Sequence, residues 1–498
     1  MRGRERWIRH AAGLAVAVCL TGAAEAQIPS HPTGLTYDPL EFTAPQSADH
    51  RHELSNGVVV FVVEDHELPL ASVSVLVRTG SYLDPPDKIG LASLTGNQMR
   101  AGGTTTLGAA EFDEEAAFLA AQIGSSIGGT SGGASLGCLT KDLDVCLDLF
   151  FDMLRNPAFD EGRLALAKSQ SVQGMERRND ATQGIERREF SRLIRGTSHF
   201  TTAPGTRASI EAITRDDLVA FHRQYFHPGN FLFAVSGDVD TTAILADLER
   251  RLDGWEIGTG SVPPVPAPDF TPEPGLYVVD KPDVNQGRVT IGHLGIQRDN
   301  PERYKLLIMN DILGGGGFSA RLLTRVRSDE GLAYSVSSSF SAGTYYPGVF
   351  QAGFQSRSET IARATAIVIE EIERMRTELV EPGELSNSIA SFVDTFSRNF
   401  SSAGATAGLF VGDEFTGRDP AYLASYRDNI ASVTAEDVLD VAQRYLDPQK
   451  LVFLVVGNVD AILAGDPEQP EFSLESLSPG DVTRIPLPDP FTMEYPAP

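Results

Sequence analysis

Metal or acid–base chemistry needs imidazoles, thiolates or carboxylates gathered on one face, and the nine histidines of this chain do not supply that pattern. His50 and His52 stand with Glu53, His66 and Glu67 fall in a turn, and His222 and His227, five apart, leave different sides of a helix. Each reads as an isolated surface or core histidine. No H-x-x-E-H or H-E-x-x-H occurs. The stretch GLASLTGNQMRAGGT, Gly90–Thr104, reads as a helix with Leu91, Leu94 and Met99 at roughly helical spacing. The positions between hold Ser93, Gly96, Asn97 and Gln98, which are poor metal ligands and no obvious acid or base. The run Gly314, Gly315, Gly316, Gly317, Phe318 lacks the Lys-Ser/Thr of a phosphate loop and reads as a permissive turn between two helices. In RSDEGLAY, Arg327 is a permanent cation and Tyr334 a neutral donor, so both types suit developing negative charge. Taken alone they are equally an ordinary helix arginine and a packing tyrosine. No coherent nucleophile–base set is visible, so a self-sufficient hydrolase is the weakest functional reading.

The elements that must position these residues come in duplicate. ITRDDLVAFHRQYFHPGNFLFAVSGDVD (213–240) aligns without a gap to VTAEDVLDVAQRYLDPQKLVFLVVGNVD (433–460), with nine of 28 positions identical. Each copy reads as a Thr-capped helix with acids in its first turn, a Pro-containing turn, and an apolar strand closed by glycine. Between the copies, SVPPVPAPDFTPEPG (261–275) holds six prolines in fifteen residues and reads as an extended linker. The expected layout is two homologous α/β units of about 220 residues, at 47–259 and 275–465, with a linker at 260–274 and a Pro-rich tail at 466–498. That tail has no clear period and either wraps a surface or is disordered. In the first unit the reading gives β-rich runs, the helix at Gly90, an acidic helix AAEFDEEAAFLAAQIG and a Gly/Ser-rich strand region; strict βαβ alternation is absent, which makes the class α+β.

The first 26 residues stand apart. Arg2, Arg4, Arg6 and Arg9 precede a short apolar stretch and AEA, which reads as a secretory signal cut after Ala26, with export to the periplasm. Its removal takes away four Arg and two Glu and moves the formal charge from −26 to −28. Such acidity argues against nucleic acid and anionic membranes, and no later segment reads as a membrane span. Cys138 and Cys146 remain, as a disulfide or as two buried thiols.

LSNGVVVFV, TGSYLDPPDKIGLA, RNPAFDE, LGGGGFSARLLTRVRSDEGLAYSVSS and both G-x-V-D repeat ends resemble the pitrilysin/insulinase family of inverzincin metallopeptidases. Relatives of that family include the mitochondrial processing peptidase and respiratory-complex core proteins. The resemblance implies a duplicated half-clamshell: four α/β units close around a peptide-holding chamber, and this chain supplies two. It also locates the family's H-x-x-E-H helix. Aligned on GLA, the two histidines and the glutamate are replaced by Ser93, Asn97 and Gly96, and the distal zinc ligand falls near Gln173–Gly174, with Glu176 beyond the expected spacing. The implied cofactor state is no metal in this chain and zinc in a homologous H-x-x-E-H partner, a homodimer being the other possible assembly. Arg327 and Tyr334 match the family's oxyanion pair and would act in trans; Gly314–Phe318 matches a segment linked to substrate handling, and 123–137 is either the family's strand that pairs with substrate backbone or a loosely packed edge strand. The expected function is therefore the exported non-zinc subunit of a two-chain peptidase. Its rival is a non-enzymatic scaffold or peptide-binding protein of the same fold.

Overall fold

A strand with one face in water alternates apolar and polar residues, and neither FLFAVSG nor VFLVVG does. The computed structural model, which describes residues 42–258, 261–477 and 481–496 together with His31 and Leu35, shows why. The leader read at 1–26 lies outside the described residues. The first half builds a six-stranded sheet from β1 (Arg51–Glu53), β2 (Val59–Glu64), β3 (Leu70–Val77), β4 (Gln122–Ile127), β5 (Gly132–Leu139) and β6 (Phe231–Gly237), in the order β1-β2-β6-β3-β5-β4. The second half builds another from β7 (Gly275–Asp280), β8 (Gln286–Leu294), β9 (Ala333–Phe340), β10 (Val349–Arg357), β11 (Val452–Gly457) and β12 (Val482–Arg484), in the order β9-β10-β8-β11-β7-β12. β6 runs parallel to β2 and antiparallel to β3, and β11 repeats this with β7 and β8. The fold is the duplicated mixed α/β arrangement that the repeat implies.

Both central strands are buried on both faces. Phe231, Phe233 and Val235 enter the first half's own core, against helices that include α1 (Leu91–Ala101), α2 (Leu143–Arg155) and α5 (Arg215–Tyr225). The opposite face is covered by the other half. Helix α4 (Thr182–Arg195), which follows α3 (Glu161–Glu176), lies across β8 and β11, and packs Ile185, Phe190 and Ile194 onto Val452, Leu454 and Val456. Past α6 (Ile361–Thr377) and α7 (Pro382–Thr395), helix α8 (Ala403–Thr416) returns across β2 and β6, with Phe410 6.0 Å from Phe61. α4 and α8 are 14 residues each and start 221 positions apart, so the exchange is part of the repeat. Each aliphatic side chain buried this way contributes roughly 1.5–3 kcal/mol, which is how the halves hold together. From Ala44 onward the chain is one compact unit.

The sixth strand breaks the symmetry. β1 is antiparallel to β2 and comes from the start of the first half, whereas β12 is parallel to β7 and comes from the Pro-rich tail. Beyond β12 the tail straps the first half: Asn179 donates to the Pro488 carbonyl at 2.8 Å, Arg178 to that of Pro490 at 3.1 Å, and the Arg207 guanidinium sits 3.9 Å from the Phe491 ring. Tyr495 donates its hydroxyl to the buried Glu189 carboxylate at 2.9 Å, and burial with that neighbour pushes its pKa up to about 12. Truncation after Leu477 is expected to lower the melting temperature and raise amide exchange in β7 and α4. Unchanged exchange in both elements would show that the strap holds nothing.

Three smaller findings adjust the sequence reading. The acidic helix ends at Phe118; Ala120 turns to φ +50° and Gln122 already begins β4. The proline linker lies on the first half, with Tyr82 donating to the Pro263 carbonyl and a His199 ring nitrogen 3.1 Å from that of Pro266. Cys138 and Cys146 are both free and buried, and burial pushes the Cys138 thiol up to about 12.

Candidate functional site

Helix α1 starts where the Asp84 carboxylate accepts from the Gly90 and Ala92 amides, both at 2.8 Å, and Gly90 itself sits at φ +110°. Burial pushes the Asp84 pKa up to about 6 in spite of those two donors. Leu91, Leu94 and Met99 are buried, as their spacing predicts. Ser93 and Asn97 are exposed one turn apart, with Gly96 buried beside them. Gly96 is where β4 crosses the helix: Ser125 Oγ donates to its carbonyl at 2.7 Å. A β-carbon at Gly96 would lie 2.7 Å from the Ser126 carbonyl carbon and closer still to the Ile127 amide nitrogen. The position aligned with the catalytic glutamate therefore has no room for any side chain.

The zinc that active members of the family hold on this helix does not fit its residues here. Ser93 offers a hydroxyl, Asn97 an amide already accepting from Gln98, and Gly96 nothing. On α3, Gln173, Gly174 and Glu176 are exposed. Among the described residues no group of three or more His, Cys, Asp or Glu is placed to hold a metal ion. The histidines have structural partners instead. His50 meets the Val62 carbonyl at 2.9 Å, and His66 meets Asp238 at 2.7 Å. His222 meets the Leu154 carbonyl at 2.8 Å, and its burial pulls the pKa down to about 4; His227 accepts from the Gly258 amide.

The second half is built differently at the equivalent end. Arg327 lies in a wide π-turn, Thr324–Asp329, closed by Gly331 at φ +63°, whose amide donates to the Arg327 carbonyl at 3.1 Å. Such turns interrupt regular helices often at functional positions. β9 begins two residues later, and Tyr334 is its first outward residue, 84% exposed. The turn brings Arg327 and Tyr334 together: the guanidinium stands 4.8 Å from the Tyr334 ring and 5.2 Å from the Phe318 ring. Among the described residues Arg327 makes no ion pair, although its neighbours Arg321, Arg325 and Arg363 each do. Phe318, 80% exposed, is thus the tip of the glycine run and one wall of the arginine's seat.

The glycines behave unequally. Gly314 is packed so tightly that a β-carbon would lie 2.6 Å from the Ser338 amide nitrogen, and Gly316 folds back onto the Asp311 carbonyl. Gly317, at φ +65°, faces open space. Gly315, Gly317 and Phe318 are exposed, whereas Gly314 is sealed inside the turn.

The candidate peptide-pairing stretch 123–137 is divided between two paired strands, β4 and β5, and its edge strand β4 is partly engaged already, because Arg100 donates to the Ile123 carbonyl at 3.2 Å and Gly96 covers the edge near Ile127. A second surface went unread in the sequence. A polar groove of about 600 Å³ runs between α4 and the second sheet, and joins another of about 680 Å³ that ends at Tyr334; the two share Arg288, Ser337 and Gly353. Alternation in AYSVSSSF and VFQAGFQSR was the available signal: Ser335, Ser337, Ser339, Gln351, Gln355 and Arg357 all face outward.

Comparisons with known proteins match both halves of the chain. Residues 59–200 match the model described as "Insulinase (Peptidase family M16)", and residues 212–392 match "Peptidase M16 inactive domain". A Bacillus subtilis protein named uncharacterized zinc protease YmxG is 26% identical over 363 residues, 70% of this chain and 86% of its own length. A Helicobacter pylori protein named non-peptidase homolog YmxG is 26% identical over 345 residues, 68% of this chain and 78% of its own. Among solved structures, a peptidase M16 inactive domain from Pseudomonas fluorescens superposes with a TM-score of 0.73 at 24% identity, over 82% of this chain and 97% of that one.

Proposed function

This chain belongs to the insulinase (M16) peptidase family, and we propose that within it the chain is the exported, zinc-less subunit of a two-chain metallopeptidase. It would supply half of a peptide-holding chamber and an Arg327–Tyr334 pair to a homologous H-x-x-E-H chain. The observation that carries the reading is an asymmetry. The metal helix is closed by backbone at Gly96, while Arg327, which makes no ion pair among the described residues, stands beside the exposed Tyr334. A scissile carbonyl brought to that end of β9 would gain two donors for the negative charge that develops on its oxygen. Arg327 stays cationic throughout, and the Phe318 and Tyr334 rings hold its plane without neutralising it. The metal and the water it activates would come from the partner.

The test is to express the mature chain with an H-x-x-E-H homologue from the same host. Cleavage of an extended peptide is expected only in the mixture, with a stable two-chain complex on gel filtration and one zinc per complex. Cleavage by the partner alone at the full rate would sink the reading. A second reading, a peptide-holding scaffold that cleaves nothing, draws support from the polar groove, which lies wholly within this chain. It predicts that the chain copurifies with no zinc-bearing homologue.

A further inference from the structure

The groove on the second sheet is cationic in an acidic chain. Its floor is one face of that sheet, where cross-strand neighbours align in rows: Ser339 with Gln351, Ser337 with Gly353 and Thr290, Gln355 with Arg288, and Arg357 with Gln286. Its wall is α4, which contributes Arg187 and Arg195. The joined grooves therefore hold four arginines, Arg187, Arg195, Arg288 and Arg357, with Arg327 just beyond Tyr334.

The acids are nearly absent. Glu186 is the one carboxylate lining either groove, and it is already held by Arg288 and by the Thr290 hydroxyl at 2.6 Å. Arg187 and Arg357 are exposed and, among the described residues, their guanidiniums make no ion pair or hydrogen bond. The whole chain carries 67 acidic against 41 basic residues. A net cationic groove in so acidic a chain is a local inversion, and low-dielectric walls focus such a field onto whatever lies between them.

We propose that this groove binds extended peptides rich in Asp and Glu, so that acidic segments are the substrate class this subunit delivers toward Arg327 and Tyr334. The second clause rests on the function proposed above; the first does not. The small hydroxyls of Ser335, Ser337 and Ser339 leave the floor open to carboxylate side chains and can donate to them, while the arginines fix the sign of the charge accepted. Overall repulsion from the acidic surface makes non-specific capture of such a peptide unfavourable. Binding, where it occurs, must come from the groove.

The experiment uses the mature chain alone and three fluorescein-labelled 12-residue peptides, Glu-rich, Gln-rich and Lys-rich, read by fluorescence anisotropy. The Glu-rich peptide is expected to bind about tenfold or more tighter than the Gln-rich one at low salt, with the preference shrinking as the Debye length falls. The double variant Arg187→Gln/Arg357→Gln, at exposed and unpartnered positions, is expected to keep its melting temperature and to lose most of that preference. Equal binding of the Glu-rich and Gln-rich peptides would overturn the proposal, and so would a preference that the double variant leaves intact. Because no partner or hydrolysis enters this assay, its failure is separable from failure of the two-chain reading.

Discussion

Arg327→Ala, assembled with a zinc-bearing partner, is expected to lower kcat/KM by about 100- to 1,000-fold, the usual cost of removing one oxyanion donor. The loss belongs in kcat, because the guanidinium would meet charge that exists only as the carbonyl is attacked. Complex formation and KM should stay nearly constant, since Arg327 makes no ion pair among the described residues whose loss would disturb the fold. Companion variants separate its two supports. Tyr334→Phe keeps the ring 4.8 Å from the guanidinium and removes only the hydroxyl, so it reports the second donor alone. Phe318→Ala removes the other ring and leaves both donors, so its smaller effect reports how well the arginine is held. Arg327→Lys keeps the charge and loses the planar fork, and intermediate activity is expected. Full activity in both Arg327→Ala and Tyr334→Phe would show that the pair takes no part in hydrolysis.

Much of the duplicated fold was readable from residue order because its logic is local. The capped helices, the Pro turns and the apolar strands announced the duplication through spacing alone, whereas the three helix positions aligned with zinc ligands came from the family resemblance. What resisted reading was tertiary. FLFAVSG and VFLVVG say that a strand is covered twice without saying by what, and the cover comes from the other half: α8 begins 166 positions after β6 ends, and α4 ends 257 positions before β11 begins. The tail looked formless because three residues of strand and a few carbonyl acceptors leave no period; its order comes from Asn179, Arg178 and Glu189, which are distant in sequence. Phe318 was read only as the end of a glycine run. Its place against Arg327 depends on the π-turn at Thr324–Asp329, a backbone irregularity that no spacing rule encodes. The groove's arginines come from α4, β8 and β10, and only folding brings them to one surface.

Restoring the zinc motif by substitution is expected to fail, and the reason lies at Gly96. In a solvent-facing helix interior, Gly→Ala stabilises by roughly 0.5–1 kcal/mol, because alanine loses less backbone freedom on folding. Here the sign should reverse. The new β-carbon would press on the backbone of Ser126 and Ile127 rather than on a side chain that can swing aside. Overpacking of this kind costs about 1–3 kcal/mol, so Gly96→Ala should lower the urea midpoint with an unchanged slope. Ser93→His, at an exposed position, should stay within about 0.5 kcal/mol of the parent, while Asn97→His should cost more, because it removes the acceptor of the buried Gln98 amide. The triple variant Ser93→His/Gly96→Glu/Asn97→His would have to push β4 off α1 to seat its glutamate. It would also lack a third protein ligand, since α3 offers only Gln173 and Gly174 where the distal carboxylate is expected. Titration with zinc is therefore expected to show no stoichiometric tight site and no rise in melting temperature. Stabilisation by Gly96→Ala, together with tight zinc uptake by the triple variant, would mean that the helix kept its metal geometry and lost only its ligands. The packing of β4 onto Gly96 predicts the opposite: the edge strand has taken the space in which the chemistry would occur, and this half of the molecule can no longer regain it one residue at a time.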